Sequence, residues 1–325
     1  MTVVDDTILE VKNLKQYFPV NGKKNLFVKA VDDVSFKIAR GETFGLVGES
    51  GCGKTTTGRC VLGMYKPTGG EIWFNGQEIS HYTRAQRKPI RRDIQLIFQD
   101  PYGSLDPRKS VFSIIAQAVT AGEKKYTPQT LEERVRELMQ LVGLNYDLHD
   151  RFPHEMSGGQ RQRVGIARAL ACEPQLIVCD EPVSALDVSI QAQIVNLFED
   201  LQKRLNLTYI FIAHDLAVVR HISRNIAVMY LGHIMELTDS ETLYRHCLHP
   251  YTRALLSAIP IADYYVEQSR ERIILQGEIP SPINPPSGCP FHPRCANCIE
   301  RCRQEMPELV EVEPGHKLAC FNPNT

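Results

Sequence analysis

One octapeptide constrains this chain more than any other feature of its sequence. Residues 48–55 read GESGCGKT; the buried-type run ETFGLV precedes them, and residues 54–62 favour a helix. Glycines at this spacing let the backbone curl so that consecutive N–H groups point at one anion. The start of the helix adds a partial positive charge at the same place. The pattern therefore predicts a loop that binds the phosphates of a nucleotide, with a strand before it and a helix after it.

The residue types in this loop predict a nucleotide with β- and γ-phosphates, together with Mg²⁺, as its ligands. The Lys54 ammonium supplies a positive charge for the β- and γ-phosphates, and the Thr55 hydroxyl is a ligand for Mg²⁺. A chance glycine-rich turn is the competing interpretation, and the complete motif in a strand-to-helix context disfavours it. The predicted ATP-binding residues of the loop are Ser50, Gly51, Cys52, Gly53, Lys54, Thr55 and Thr56.

A second buried-type run, LIVCD (176–180), ends in two adjacent carboxylates. Asp180 can hold Mg²⁺ through its water shell, and Glu181 can activate the attacking water. A general base of this kind contributes roughly 10²–10⁴ in rate. The alternative is a strand that simply ends in two solvated acids.

Hydrophobic periodicity predicts an α/β chain with an antiparallel β part at its front and a helical insert in its middle. Strands are expected at ILEVKNLKQYF, VKAVDDVSFKI, ETFGLVG, IQLIF (94–98), LIVCD and TYIFIAH, and a hairpin at NIAVMYLGHIMEL. Helices are expected at 54–62, 111–121, 130–142, from Ser157 to about Ala171, and at 189–205. Asn21-Gly22 and Asn75-Gly76 are turn signals. Past residue 260 the chain becomes dense in Pro, Gly and Cys, which indicates a separate small extension.

Charge and hydropathy exclude several classes of function. The chain has 37 basic and 38 acidic residues and a formal net charge of −1, which argues against nucleic acid as a partner. It has no run of about 18–20 apolar residues, and its start lacks the layout of a signal peptide. We therefore expect a protein that stays in the cytosol; if it serves a membrane process, separate subunits must span the membrane.

Further motifs follow in an order that resembles the ABC ATPases. Ser157-Gly158-Gly159-Gln160 after Met156 resembles the signature motif, Gln99 the Q-loop, Ser184-Ala185-Leu186-Asp187 the D-loop, and His214 the switch histidine. The resemblance implies a P-loop ATPase with a RecA-like core, an antiparallel β subdomain, a helical subdomain at about 100–160, and a small Cys-rich C-terminal extension. It implies an ATPase domain at 1–258 and the extension at 259–325.

The same resemblance assigns roles to these residues. Glu181 and His214 are the expected catalytic residues, and Thr55, Gln99 and Asp180 the expected Mg²⁺ ligands. The signature residues Ser157, Gly158, Gly159 and Gln160 act on ATP held by the partner subunit, and Asp187 is the D-loop acid. Phe18 is the expected aromatic for adenine stacking. There are two alternatives: Phe18 packs on the core instead, or the neighbouring Tyr17 stacks on the adenine.

The whole chain is similar to the ATPases of oligopeptide and dipeptide importers. The resemblance is carried by AVDDVSF, VGESGCGKTT, IFQDPYGSLDPR, CDEPVSALDVSIQAQI, HPYTRALLSAIP and the tail GEIPSPINPPSGCPFHPRC. It implies a paralogous ATPase as heterodimer partner, two membrane permeases, an extracytoplasmic peptide-binding protein, and a peripheral place on the cytoplasmic face of the membrane. Nickel and glutathione importers use similar ATPases. A soluble ABC ATPase acting on ribosomes or DNA is the alternative from another class.

Five of the ten cysteines crowd into the tail, and in a reducing compartment such crowding points to metal binding rather than disulfides. Cys289, Cys295, Cys302 and Cys320 match the tail pattern of the peptide-importer group, where some members hold a [4Fe–4S] cluster. A Zn²⁺ site uses the same four thiolates, and free or structural thiols are the third interpretation. Cys298 is additional to the set.

Overall fold

The structure is a computed structural model that describes residues 6–20, 22–23, 25–100, 102–122, 124–259 and 272–324. Its strands are β1 (Thr7–Pro19), β2 (Phe27–Ala39), β3 (Thr43–Val47), β4 (Gly69–Phe74), β5 (Gln77–Glu78), β6 (Ile94–Ile97), β7 (Leu176–Asp180), β8 (Thr208–Ile212), β9 (Asn225–Tyr230), β10 (His233–Asp239), β11 (Val310–Glu313) and β12 (His316–Leu318). Its α-helices are α1 (Lys54–Val61), α2 (Arg87–Asp93), α3 (Val111–Thr120), α4 (Pro128–Leu141), α5 (Gly158–Leu170), α6 (Val188–Leu205), α7 (Leu216–Ile222), α8 (Ser240–Arg245), α9 (Pro250–Ser257) and α10 (Glu300–Gln304).

The chain divides into two compact units. The first unit comprises Met1–Ala39, Thr43–His81 and Ala213–Thr325, and the second comprises Arg40–Glu42 and Tyr82–Ile212. The predicted domain boundary after residue 258 and the predicted helical subdomain stay predictions. Residues 260–271 of the predicted extension lie outside the described residues.

The first unit contains an antiparallel sheet and a mixed set of strands. The antiparallel sheet has the order β2-β1-β4-β5, and its two long strands keep apolar residues such as Leu9, Leu14 and Val34 fully buried. The other strands follow the order β11-β12-β10-β9-β3, in which β3 and β9 are parallel. Every residue of β3 is buried, as expected for a parallel strand covered on both faces. This strand carries the chain into the glycine-rich loop.

The second unit is built on the parallel strands β8, β7 and β6. Strands β7 and β8 are buried along their whole length, which explains their continuous apolar sequences. Helices α3, α4 and α5 pack on one another in the same unit. Parallel strands end at a common edge of a sheet, so the residues that follow them come together there.

The predicted elements are largely confirmed, with small shifts at their ends. Helix α4 begins at Pro128 rather than at residue 130, because Thr127 and Thr130 form a capping box that encloses Pro128, and proline suits the first helical position. The Asn75-Gly76 turn joins β4 to β5, and both residues have positive φ. The turn signal at residue 21 lies outside the described residues. Among the helices that the structure describes, none combines the length and the apolar character needed to cross a membrane.

Candidate nucleotide-binding site

The glycine-rich loop lies in the first unit, between β3 and α1. Gly48 has a φ of 145° and Gly53 a φ of 110°, values that side-chain-bearing residues rarely adopt. An ideal Cβ on Gly48 would stand 2.2 Å from the Met229 carbonyl oxygen, and one on Gly53 would stand 2.3 Å from that of Ala30. Only glycine fits at both positions, so the loop is held in a curled backbone by its neighbours.

Lys54 opens α1 and is 4% exposed. Its Nζ donates to the carbonyl oxygens of Gly48 at 2.7 Å and Glu49 at 3.1 Å, so the ammonium lies over the curl of the loop. The first turn of α1 reads KTTT and adds no negative charge to the helix start. Burial raises the pKa of the Cys52 thiol, against the opposing effect of Lys54, so the thiol is neutral near pH 7. The loop is therefore a positively charged cradle for an anion.

His214 lies near the same end of β3. The Ala213 N–H donates to the Leu46 carbonyl oxygen at 3.3 Å, which brings the next residue, His214, to the strand end where the loop begins. His214 is exposed, and the Asp215 side chain caps α7 by accepting the Ala217 N–H at 2.8 Å. The first unit thus brings the predicted histidine and the predicted phosphate loop to one strand end.

Two aromatic residues near the end of β1 compete for the role in adenine stacking. The Phe18 ring packs edge-on against Tyr65, with 5.1 Å between ring centroids, and is half-buried. The Tyr17 hydroxyl donates to Asp32 at 2.5 Å, and burial, followed by that contact, raises its pKa. Lys29 Nζ lies 5.7 Å from the Tyr17 ring centroid, and the role of Phe18 in adenine stacking stays a prediction.

The second unit holds the two carboxylates at the end of β7. Asp180 is 8% exposed, and Glu181 takes a left-handed φ of 47°, an uncommon conformation for a residue with a side chain. The Glu181 N–H donates to the Ile212 carbonyl oxygen at 2.9 Å. Gln99 Nε2 donates to Glu181 Oε2 at 2.7 Å, so two residues that are 82 positions apart are hydrogen-bonded. This contact orients the carboxylate that the sequence predicts as the base.

The predicted D-loop is braced from within the second unit. The Ser184 hydroxyl donates to the Glu181 carbonyl oxygen at 3.0 Å. Gln191 Nε2 donates to the carbonyl oxygens of Val183 and Leu186, both at 3.0 Å, while Asp187 lies exposed at the N-cap of α6. Gln191 carries no signal in the sequence, because nothing in its local spacing distinguishes it from an ordinary helix residue.

The signature residues form the start of α5. Ser157 is the N-cap: its Oγ accepts the Gln160 N–H at 3.3 Å, and Gln160 Oε1 accepts the Ser157 N–H at 2.9 Å. An ideal Cβ on Gly159 would stand 2.6 Å from Ile190 Cγ2, and one on Gly158 would stand 3.1 Å from Leu186 Cδ2. The two glycines therefore allow the start of α5 to approach the D-loop and the start of α6. Ser157 is exposed at this helix N-terminus, which favours an anion.

The four tail cysteines of the predicted set influence one another electrostatically. Burial, with smaller contributions from the neighbouring thiols of Cys302, Cys320 and Cys295, raises the pKa of Cys289 to about 12. Burial also raises the pKa of Cys320 to about 11, again with contributions from Cys295 and Cys302. The Cys289 N–H donates to the Cys302 carbonyl oxygen at 2.8 Å, which ties the two ends of the segment together. Within the part of the chain that is described, no three His, Cys, Asp or Glu side chains are arranged to hold a metal ion.

The fold resembles solved ATP-binding cassettes. CbiO1 of Clostridium perfringens, part of an ABC transporter complex, matches with a TM-score of 0.66 at 29% identity, over 74% of this chain and 92% of that chain. The cassette MJ0796, solved as a dimer in a post-hydrolysis state with ADP and Pi, matches with a TM-score of 0.65 at 26% identity, over 71% of this chain and 98% of that chain. Fold, glycine-rich loop and acidic strand end thus define a P-loop ATPase cassette, and the predicted fold class is confirmed.

Sequence comparisons narrow this class. Residues 31–184 match the family described as ABC transporter, and residues 235–302 match the oligopeptide/dipeptide transporter C-terminal region. The oligopeptide transport ATP-binding protein AppF of Bacillus subtilis strain 168 is 53% identical over 97% of both chains. OppF of Escherichia coli strain K12, with the same description, is 49% identical over 97% of this chain and 96% of its own. The chain belongs to the ATP-binding proteins of ABC transporters, and it is an ATPase coupled to transport.

Proposed function

We propose that this chain is the ATP-hydrolysing subunit of an importer for short peptides. The observation that carries the proposal is the near-full-length similarity to oligopeptide transport ATP-binding proteins, which includes the oligopeptide/dipeptide transporter region at residues 235–302. That region lies beyond the segment that matches ABC transporters in general, so it is the part of the chain that favours peptides over nickel or glutathione as cargo.

The proposed chemistry assigns one role to each part of the site. The loop N–H groups and Lys54 bind the β- and γ-phosphates of ATP, and Ser50 to Thr56 surround them. Thr55, Gln99 and Asp180 would hold Mg²⁺, which would neutralise phosphate charge. Glu181, held by Gln99 at 2.7 Å, polarises the attacking water, and His214 contacts the γ-phosphate. Phe18 stacks on the adenine.

The proposed active form is a heterodimer with a paralogous ATPase. Ser157, Gly158, Gly159 and Gln160 meet the ATP that the partner holds, because they form the N-terminus of a helix, which is suited to an anion, and Ser157 is exposed there. Asp187, exposed at the start of α6, lies on the same side of the second unit as these residues, as the Gly158–Leu186 approach indicates. The similar cassette MJ0796 was solved as a dimer bound to ADP and Pi, which supports the pairing of two ATPase chains.

The remaining proposed partners are two membrane permeases and an extracytoplasmic peptide-binding protein, with this chain peripheral on the cytoplasmic face of the membrane. ATP binding closes the ATPase pair and hydrolysis opens it. To move a two-state permease from 1:99 to 99:1 takes about 5.5 kcal/mol of differential binding. Two ATP molecules bound between the paired ATPase chains can supply this difference in binding free energy. We further propose an ATPase domain at 1–258, with a helical subdomain at about 100–160, and an extension at 259–325.

For the tail we infer a [4Fe–4S] cluster on Cys289, Cys295, Cys302 and Cys320, with Zn²⁺ as the alternative. Four thiols are the donor set that either group requires, and other thiols of the set contribute to the raised pKa of Cys289, Cys295 and Cys320. Iron, sulfide and zinc analysis of anaerobically purified protein tests the inference. Stoichiometric iron with visible absorbance supports the cluster, and stoichiometric zinc supports the alternative. A protein that contains neither iron nor zinc rejects both.

The function is tested by uptake of labelled short peptides in cells that carry Lys54→Ala. We expect uptake to stop, while Lys203→Ala, which removes an exposed lysine from α6, leaves it unchanged. Normal peptide uptake with Lys54→Ala rejects the proposal. Loss of nickel or glutathione uptake, with peptide uptake intact, reassigns the cargo, and co-sedimentation of the chain with ribosomes rather than with permeases rejects the transporter role.

A further inference from the structure

Glu49, the second residue of the phosphate loop, is held by a residue from the far end of the chain. Arg294 Nη1 donates to Glu49 Oε2 at 2.6 Å, and Arg294 Nη2 donates to Glu49 Oε1 at 3.1 Å. The Arg294 side chain is 6% exposed and that of Glu49 is 25% exposed. A bidentate pair with this little exposure is stronger and more precisely oriented than an ordinary surface ion pair.

The backbone of Glu49 is fixed as well. Its N–H donates to the Tyr251 hydroxyl at 2.9 Å, and its carbonyl oxygen accepts from Lys54 Nζ at 3.1 Å. Burial raises the pKa of Tyr251, so the hydroxyl remains neutral and available as an acceptor. One loop residue therefore connects the phosphate-binding lysine to two side chains of the carboxyl-terminal region.

Arg294 lies within the cysteine-rich segment, residues 289–302. It ends a short 3₁₀ turn that starts at His292, and the next residue is Cys295. Phe291, just before this turn, packs on Tyr230 and Tyr251 with ring centroids 5.3 and 5.2 Å apart, and the Arg294 guanidinium lies 5.9 Å from the Tyr230 ring centroid. Aromatic packing of this kind fixes geometry as well as burying area. These aromatic contacts thus fix the position of the guanidinium beside the loop.

The charge of Glu49 gives this contact a functional consequence. A carboxylate in a loop that receives phosphates repels them unless a nearby cation neutralises it. We propose that Arg294 is a positioning residue of the phosphate loop, which neutralises Glu49 and, together with Tyr251, holds the loop backbone ready for ATP. The inference rests on the proposed function in one respect, namely that residues 48–55 bind ATP. It makes the cysteine-rich segment a part of the nucleotide site.

The test is a double-mutant cycle on the full-length chain, read out as the Kd for ATP at a fixed Mg²⁺ concentration. Arg294→Gln leaves Glu49 unneutralised, and we expect the Kd to rise about five- to tenfold, the lower part of the usual range for coupled sites. Glu49→Gln alone removes the repulsive charge, while its amide oxygen can still accept from Arg294 and hold the loop, so this variant is expected to bind ATP at least as tightly as the wild type. The double variant E49Q/R294Q is expected to recover most of the lost affinity, because the charge that Arg294 masks is gone.

Two further measurements separate positioning from a general loss of structure. In the assembled transporter, Arg294→Gln should raise the KM for ATP with little change in kcat, because Arg294 does not touch the reacting atoms. Arg301→Gln is the matched control: it removes an arginine of the same segment that pairs with exposed Glu305 at 2.8 Å, and the Kd should not change. Arg294→Lys keeps the positive charge but not the forked guanidinium, and its Kd for ATP should lie between those of the wild type and Arg294→Gln.

Three outcomes overturn the inference. The first is an unchanged Kd in Arg294→Gln, the second is a double variant as weak as Arg294→Gln, and the third is a loss of affinity in Glu49→Gln. If Arg294→Gln does not fold, Glu49→Gln still decides the charge argument. Lys54→Ala separates failure of the proposed function from failure of this inference. If Lys54→Ala still binds ATP, the proposed function is rejected. If Lys54→Ala abolishes ATP binding but Arg294→Gln leaves the Kd unchanged, only the inference about Arg294 is rejected.

Discussion

Replacing Glu236 by alanine removes a fully buried carboxylate that joins three parts of the first unit. Glu236 in β10 accepts the backbone N–H groups of Leu248 at 2.7 Å and His249 at 3.1 Å. It also contacts His316 Nε2 in β12 at 2.8 Å, and His316 is 1% exposed. The carboxylate thus ties the start of α9, which carries Tyr251, to the strand near the end of the chain.

The magnitude of the loss follows from these contacts. Each buried N–H left without an acceptor costs about 1–3 kcal/mol, and breaking a buried polar pair on one side costs about 3–5 kcal/mol. Because the two figures describe overlapping effects, we expect Glu236→Ala to lower the free energy of unfolding by about 4 kcal/mol. At roughly 2 °C per kcal/mol for a chain of this size, the melting temperature should fall by about 8 °C.

The assay is thermal unfolding of the full chain, followed by circular dichroism, with Glu241→Ala as the matched control. Glu241 is an exposed glutamate that pairs with Arg245 at 2.6 Å, and exposed pairs of this kind contribute less than about 1 kcal/mol. Glu236→Gln retains one acceptor oxygen and should lie between the two. A Glu236→Ala variant that melts no more than about one or two degrees below Glu241→Ala would contradict this expectation.

Two further predictions concern pH and chemistry. Burial lowers the pKa of His249 to about 4, and its Nδ1 accepts the Tyr251 N–H at 3.0 Å, which requires an unprotonated nitrogen. Since an unfolded histidine titrates near about 6.5, this contribution to stability is complete above that pH and falls as the pH drops toward about 4, by about 2 kcal/mol at pH 5. Denaturant unfolding at pH 7.5 and 5 should show this loss of unfolding free energy in the wild type and a smaller loss in His249→Asn. An equal loss in both proteins would contradict the assignment of this pH dependence to His249. Glu181→Gln should lower the hydrolysis rate by at least about 10²-fold while ATP still binds, because it removes the base but keeps a hydrogen-bonding group beside Gln99. Phosphate release and gel filtration measure the rate and the accumulation of the ATP-bound pair, and an unaltered rate rules Glu181 out as the base.

The local parts of the site could be predicted from the sequence. The loop at 48–55 depends on glycines at positive φ between a strand and a helix, and the start of α5 depends on the Ser157–Gln160 capping box. Both involve residues within a few positions of one another, so the sequence pattern itself carries the geometry. Short helices such as α7 and α8 were not predicted, because six or seven residues show too little periodicity to separate them from loops.

Contacts between distant residues were decided only by the tertiary structure. Gln99 meets Glu181 across 82 positions, Arg294 meets Glu49 across 245, and His316 meets Glu236 across 80. No spacing rule joins such pairs, because their approach depends on how the intervening strands and helices return the chain to one place. The sequence alone therefore determined the phosphate loop and the order of the family motifs. The path of the folded chain determined that a cysteine-rich segment near its end supports that loop.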